Sequence, residues 1–317
     1  MADSIDKADI LYFSSDGLVE ALSNGEVLSK PAIIRESFSD TKQHVLDTLK
    51  FQLSDLCPDA VVAVTTQDCD QPGQTTITQF LEETMGTQES TSPTGQTLEL
   101  SNITHAQRPA FTMLPRLRLL TTLRARALNL DSADRIGPAL SLASGESSFT
   151  IVRTMGAFSG PQMCAFSGLW VRNLFGTTIM QIIPGAEMDA ADWEAFRLLG
   201  RRWVPRSDPK TFVLEPNDVV LLPPRLEVIV AFHCLTNSVV EGAVFWDDMT
   251  VLRMLHEVPT DVPCPSPTDQ ILAPQLPSLV AQLSAMAKLE TARFNLENLG
   301  TNPMSILESI TAKFSVL

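Results

Sequence analysis

Histidine and cysteine, on which most metal and nucleophile chemistry depends, are scarce: four histidines and five cysteines in 317 residues. The cysteines (Cys57, Cys69, Cys164, Cys234 and Cys264) are odd in number, widely spaced and never in a CxxC pair. That pattern argues against a structural zinc or a disulfide framework and for a reducing compartment. Apolar runs of about 18 residues are missing, so no membrane span is expected. The stretch Met1–Ile10 lacks the basic region and apolar core of a secretion signal, and the expected setting is intracellular, cytoplasmic or nuclear. GxSxG, the P-loop, GxGxxG and HExxH are all absent, which sets aside the commonest hydrolase, nucleotide and zinc-protease frameworks. Positive charge is short as well: 23 Lys and Arg against 37 Asp and Glu, a net −14. A sequence-independent grip on nucleic acid is therefore not expected, whereas a basic protein partner such as a histone tail would suit the surface.

What is present is an ordinary globular composition, 44% hydrophobic and 19% charged, with enough chain for one large domain or two modest ones. Residues 14–22 read as a short helix with Ser15 as its cap, 31–38 as a strand, and 41–56 as an amphipathic helix. The β-branched run 60–66 reads as a buried strand, 76–85 as a helix, and 86–98 as a polar, turn-rich loop. Arg108, Arg116, Arg118, Arg124 and Arg126 follow with no acid between Glu99 and Asp131, so 114–128 is expected to be a helix with a basic face. Such a face could dock an acidic partner, or solvate one side and pair with acids elsewhere in the chain.

A β core is expected over 149–245, interrupted by a helix over 189–202 that Asp189 caps. Another helix starts at Asp247. The stretch 258–277 carries six prolines and reads as an extended linker. Beyond it, 278–317 has helical spacing broken near Gly300; packing on the core is preferred to dimerisation, and oligomeric state stays open. The division of the chain is thus 1–148, 149–257, 258–277 and 278–317.

Several motifs carry a family resemblance. They are GAFSG (156–160), WVRNLFGT (170–177), Pro223-Pro224, Asn237-Ser238, Phe245-Trp246 and the opening stretch 25–40. Together, over about residues 10–255, they resemble the JmjC family of Fe(II)- and 2-oxoglutarate-dependent oxygenases, closest to its fungal members. The resemblance implies an α+β fold with a β core: a double-stranded β-helix (jelly-roll, cupin-type) flanked by N- and C-terminal helices. It also implies where chemistry would lie. The family's His-X-Asp ligand pair falls on Gln162-Met163-Cys164 and its second histidine on Val230, while the cosubstrate positions fall on Leu169 and Thr178.

Those residues do not suit the chemistry. Fe(II) takes imidazole and carboxylate donors; Gln162 offers a neutral amide, Cys164 a lone soft ligand, Val230 nothing. Thr178 cannot supply a charge for the distal carboxylate of 2-oxoglutarate, nor Leu169 a hydrogen bond. On this reading the replacements fill and dry the pocket. His233 lies three residues beyond Val230 and, by strand alternation, faces the other way. His44, His105 and His256 are far from the motif. Arg172 is the first alternative anchor, although alternation from Leu169 points it outward. Cys164 has no base beside it for nucleophilic work. The expectation is a non-catalytic JmjC-like pseudoenzyme, an interaction or scaffolding module without cofactor whose protein partner is unidentified. Its alternatives are an active oxygenase with a rearranged Fe(II) site and a metal-free small-molecule binder using the barrel pocket.

Overall fold

The computed structural model describes residues 10–35, 45, 47, 49, 61–66, 73–85, 95–101, 108–127, 148–206, 208–224, 228–260, 262–263, 265–294 and 303–315. His44, His105, the loop over 86–94 and most of the helix expected over 41–56 lie outside them. The N-terminal part supplies β1 (Leu11–Ser14), β2 (Ala32–Arg35), β3 (Val61–Thr66), β4 (Gly73–Thr76) and β5 (Gln96–Ser101). The core follows as β6 (Ser148–Arg153), β7 (Phe158–Cys164), β8 (Gly168–Phe175), β9 (Thr178–Pro184), β10 (Lys210–Leu214), β11 (Asp218–Leu222), β12 (Val228–Cys234) and β13 (Ser238–Phe245).

The chain shuttles between two sheets as it winds. One runs β1-β2-β11-β8-β13-β6-β5-β3-β4 and the other β10-β9-β12-β7. Every pairing among β6–β13 is antiparallel. Strands β6, β13, β8 and β11 thus face β7, β12, β9 and β10 across a shared interior, which is the winding of a double-stranded β-helix. The larger sheet grows at one edge by β2 and β1, and at the other by β5, β3 and β4. Alternation sorts the side chains: Phe149, Ile151, Leu169, Val171 and Val240 face the interior with Val230 and Phe232 opposite, all in one apolar cluster but for the half-buried Ile151 packed against it. Turns are set by residues suited to them. Gly176 has φ 79° between β8 and β9, and a Cβ there would meet the Asn237 carbonyl.

The outer face of the larger sheet is covered twice. Helix α1 (Ser15–Ser23) packs Leu18 and Leu22 against Ile34, Trp170, Val219 and Leu221. Its cap is Ser14 rather than Ser15: the Ser14 hydroxyl accepts from the Gly17 N–H at 3.1 Å, because Ser14 is the last extended residue. Helix α2 (Ile77–Met85) sets Phe80 and Leu81 on Leu98, Val152 and Val239. Each fully buried Leu or Phe of this kind contributes about 1.5–3 kcal/mol.

Three further expectations change. Residues 96–98 belong to β5, not to a loop, since Leu98 and Leu100 alternate onto the face that α2 covers, beside β6. The helix expected over 114–128 is a 3-10 turn, Pro115–Leu117, followed by α3 (Leu119–Ala127). Two of its arginines are tied to other parts of the chain. Arg116 grips Asp247 through Nε and Nη2 at 2.9 and 2.6 Å, and buried Arg124 donates to Gln275 at 2.9 Å.

Helix α4 (Ala190–Leu199) stands where expected, with the Asp189 carboxylate accepting from the Asp192 N–H at 2.8 Å. After α5 (Val251–Glu257), the stretch 258–277 is not extended throughout: it carries α6 (Pro267–Leu272), whose proline sits in the first turn, where its missing N–H is harmless. The tail helices α7 (Leu276–Leu289) and α8 (Pro303–Phe314) place Leu279, Leu283, Met286, Leu307, Ile310 and Phe314 in the same apolar cluster as the barrel.

Candidate functional site

Strand register brings the candidate residues onto one inner face. Val230 of β12 lies opposite Gln162 of β7 and Ile182 of β9; Val228, two residues earlier, lies opposite Cys164. Gln162 is half-buried and lines a cavity; Cys164 and Val230 are buried. Across the interior, Leu169 also lines the cavity; on the same sheet as Val230, Thr178 is buried with its hydroxyl 3.9 Å from the Cys234 sulfur, itself 3.0 Å from the Ser238 hydroxyl. His233 is exposed and packs against Phe158 at a ring-centroid distance of 6.4 Å, on the face opposite Val230. Arg172 also points away from the interior, into a buried ion pair with Glu241, its Nε donating to the carboxylate at 2.6 Å. His256 sits at the end of α5.

This donor set does not suit Fe(II). Val230 has no donor atom. Burial pushes the Cys164 thiol far above its ordinary pKa, the Asp269 carboxylate beside it pushes the same way, and only the Ser266 hydroxyl opposes them. A metal-binding thiolate is correspondingly disfavoured. Asp269 is itself committed elsewhere: it accepts from the Ala165 N–H at 2.7 Å and lies 3.4 Å from the Ser167 hydroxyl, fastening α6 to the β7–β8 turn. Among the described residues, no three His, Cys, Asp or Glu side chains gather as a metal site would require.

The pocket is nevertheless open, contrary to the expectation of a filled and dry interior. A cavity of about 750 Å³ lies between the sheets and reaches the exposed Arg201, Arg202, Val204 and Asp208. Val230 and Thr178 do fill their own corners, but the volume beside β5, β6 and β7 stays clear. The reason lies in β7. Val230 pairs with Gln162 and Phe232 with Ser159, so Gly160 and Pro161 together face Ala231 in a bulge. Pro161 is tolerated because β7 is an edge strand. Gly160 allows the 3-10 turn Gly200–Arg202 to approach closely; a Cβ there would lie 2.5 Å from the Arg201 carbonyl oxygen.

The bulge also turns Ser159 to the same side as Gln162, where it accepts from Nη2 of Arg153 at 3.1 Å. Arg153 ends β6 on its inner face and is 1% exposed, its guanidinium 5.1 Å from the Phe232 ring centroid. Nε and Nη1 have no hydrogen-bond partner among the described residues. Burial pushes its pKa down, while Cys234 and Glu99 oppose the shift. Glu99 enters the cavity from β5; the surrounding protein raises its pKa, and Arg153 and Arg201 pull it back. Sequence reading missed Arg153, although the alternation Phe149, Ile151, Arg153 carried the signal: an arginine in the third place of an inward-facing apolar row.

No family model matches the chain. It is 28% identical over 287 residues to "KK-1 biosynthesis cluster protein D" of Curvularia clavata, a match over 88% of this chain and 28% of that protein. The chain therefore spans little more than a quarter of the length of this curated relative. Solved structures similar to it include the ribosomal oxygenase YcfD of Escherichia coli, with and without cobalt and 2-oxoglutarate. Each is 13% identical with a TM-score of 0.38; the first covers 71% of this chain and 50% of that one, the complex 81% and 56%. The Drosophila melanogaster CENP-C cupin domain is 9% identical, with a TM-score of 0.23, over 31% of this chain and 59% of that one. No helix among the described residues is long and apolar enough to cross a membrane. By its strand order, with four strands facing four across one interior, the chain has the double-stranded β-helix of cupin and JmjC-type proteins.

Proposed function

We propose that this chain is a non-catalytic JmjC-like module, a pseudoenzyme that binds where its relatives oxidise. The observation that carries the reading is the convergence of Gln162, Cys164 and Val230 on one inner face, at the places that hold Fe(II) in the family. One of the three has no donor atom and another holds its proton far above neutral pH. Too few donors remain to offset stripping water from the ion. A scaffolding role toward a protein partner fits the acidic surface. A second reading, a metal-free binder of small molecules, is favoured by the open cavity, whose volume of about 750 Å³ lies in the usual range for ligand sites. An oxygenase with a rearranged site would need a donor cluster elsewhere.

Anaerobic calorimetry with Fe(II), and with Co(II) as a redox-inert stand-in, tests the proposal. Binding no stronger than to a generic acidic surface is expected. Stoichiometric binding at about micromolar affinity, lost on Cys164→Ala, would overturn it.

A further inference from the structure

We propose that the cavity is a binding site for an organic carboxylate with an apolar body, whose carboxylate is anchored by Arg153. The inference rests on the metal-free binding reading and adds the chemical class of the ligand. A buried arginine normally has its donors satisfied, because an unpaired charge in a low-dielectric interior is costly. Here the guanidinium is 1% exposed, with Nη2 donating to Ser159 and the Cys234 thiol beside it, while Nε and Nη1 make no hydrogen bond among the described residues. It lines an open cavity rather than a sealed gap. Glu99 faces the same space, yet no ion pair joins it to Arg153; its position near Arg201 places it toward the mouth.

An anion that accepts the free N–H groups would complete the shell. A carboxylate matches a guanidinium edge with two parallel acceptors. The rest of the ligand meets a different surface. Phe149, Ile151, Leu169, Val171, Phe232 and Val240 are apolar walls around the same volume. An acid with an aliphatic or aromatic body would bury that body against them, while a small dianion such as 2-oxoglutarate has little apolar surface to bury there. The acid binds in the interior with its polar end at β6 and its tail toward Leu169 and Val171.

The test is calorimetry of the intact chain with hydrocinnamate, octanoate and their primary amides, run anaerobically with and without Fe(II). The acids are expected to bind without metal, about tenfold or more tighter than the amides. Arg153→Met should abolish that preference by weakening the acids far more than the amides. Ile151→Trp, which narrows the cavity and leaves Arg153 in place, should weaken acid and amide alike, and it serves if Arg153→Met does not fold. Equal affinity for acid and amide, no acid binding under either condition, a preference that survives in Arg153→Met, or indifference to Ile151→Trp would overturn the inference and leave the metal titration standing. Acid binding that requires Fe(II) would instead overturn the metal-free reading on which the inference rests.

Discussion

Two arginines on neighbouring inner and outer faces show how much a charge depends on its company. Arg172 meets Glu241 across β8 and β13, and both are buried. Removing one partner takes from the other, still charged and buried, the opposite charge that it contacts. Glu241→Leu should therefore lose about 3–5 kcal/mol in urea denaturation, while adding Arg172→Met should recover most of that loss. Equal losses in the single and double variants would show that the pair is not the unit that matters. Arg153, by contrast, has a hydroxyl, a thiol and an aromatic face for company. Alternation from Leu169 was enough to place Arg172 outside, and alternation beyond Val230 to place His233 outside. The same rule applied to β6 points Arg153 inward, but it does not say whether the space it enters is empty. That depends on the Gly160–Pro161 bulge, which becomes visible only when β7 is laid against β12.

Helix α6 shows how a short element can be hidden by its own composition. Proline at 263, 265, 267, 274 and 277 reads as a spacer, yet Pro267 starts a helix and Ser266 caps it, accepting from the Asp269 N–H at 3.1 Å. The Asp269 carboxylate then reaches the β7–β8 turn, a contact spanning about a hundred residues that no local pattern announces. The barrel strands were legible because half-buried strands alternate and turn residues mark their ends; β5 was not, because its polar lead-in masked the alternation of Leu98 and Leu100. Of the candidate site, the family resemblance pointed to Gln162 and Leu169, which do line the cavity, and the open volume was not readable. Asp269 also carries a pH signature. Burial raises its pKa from 3.8 to about 6, against hydrogen bonds from Ala165, Phe166, Ser167 and Ser266 that favour the anion. A carboxyl whose folded pKa exceeds its unfolded value contributes most below the unfolded pKa, and that contribution is lost as pH rises through the folded one. The stability of the native chain relative to Asp269→Asn should thus grow as pH falls from about 7 to about 4, by at most about 3 kcal/mol. Paired melting curves check this, and a gap that stays flat or closes toward low pH would refute it.

The eight-strand winding accounts for most of the interior, but the larger sheet is not complete with those eight. Strand β2 is held on one side by β1 and on the other by β11, with Ala32 beside Leu221 and Ile34 beside Val219. Chains cut after β10 should leave β2 open to protease, and chains extended through β13 should protect it; limited proteolysis of the two would distinguish this from an N-terminal unit that folds alone. The same pairing has a consequence on the ribosome. Strand β11 is made about 190 residues after β2, so at about 5–20 residues per second the apolar stretch Ala32–Ile34 waits about 10–40 s for its neighbour. Through that interval β1 and α1 are already made, but the β2 edge that β11 will occupy stays open, the feature of the newborn chain that a chaperone would meet.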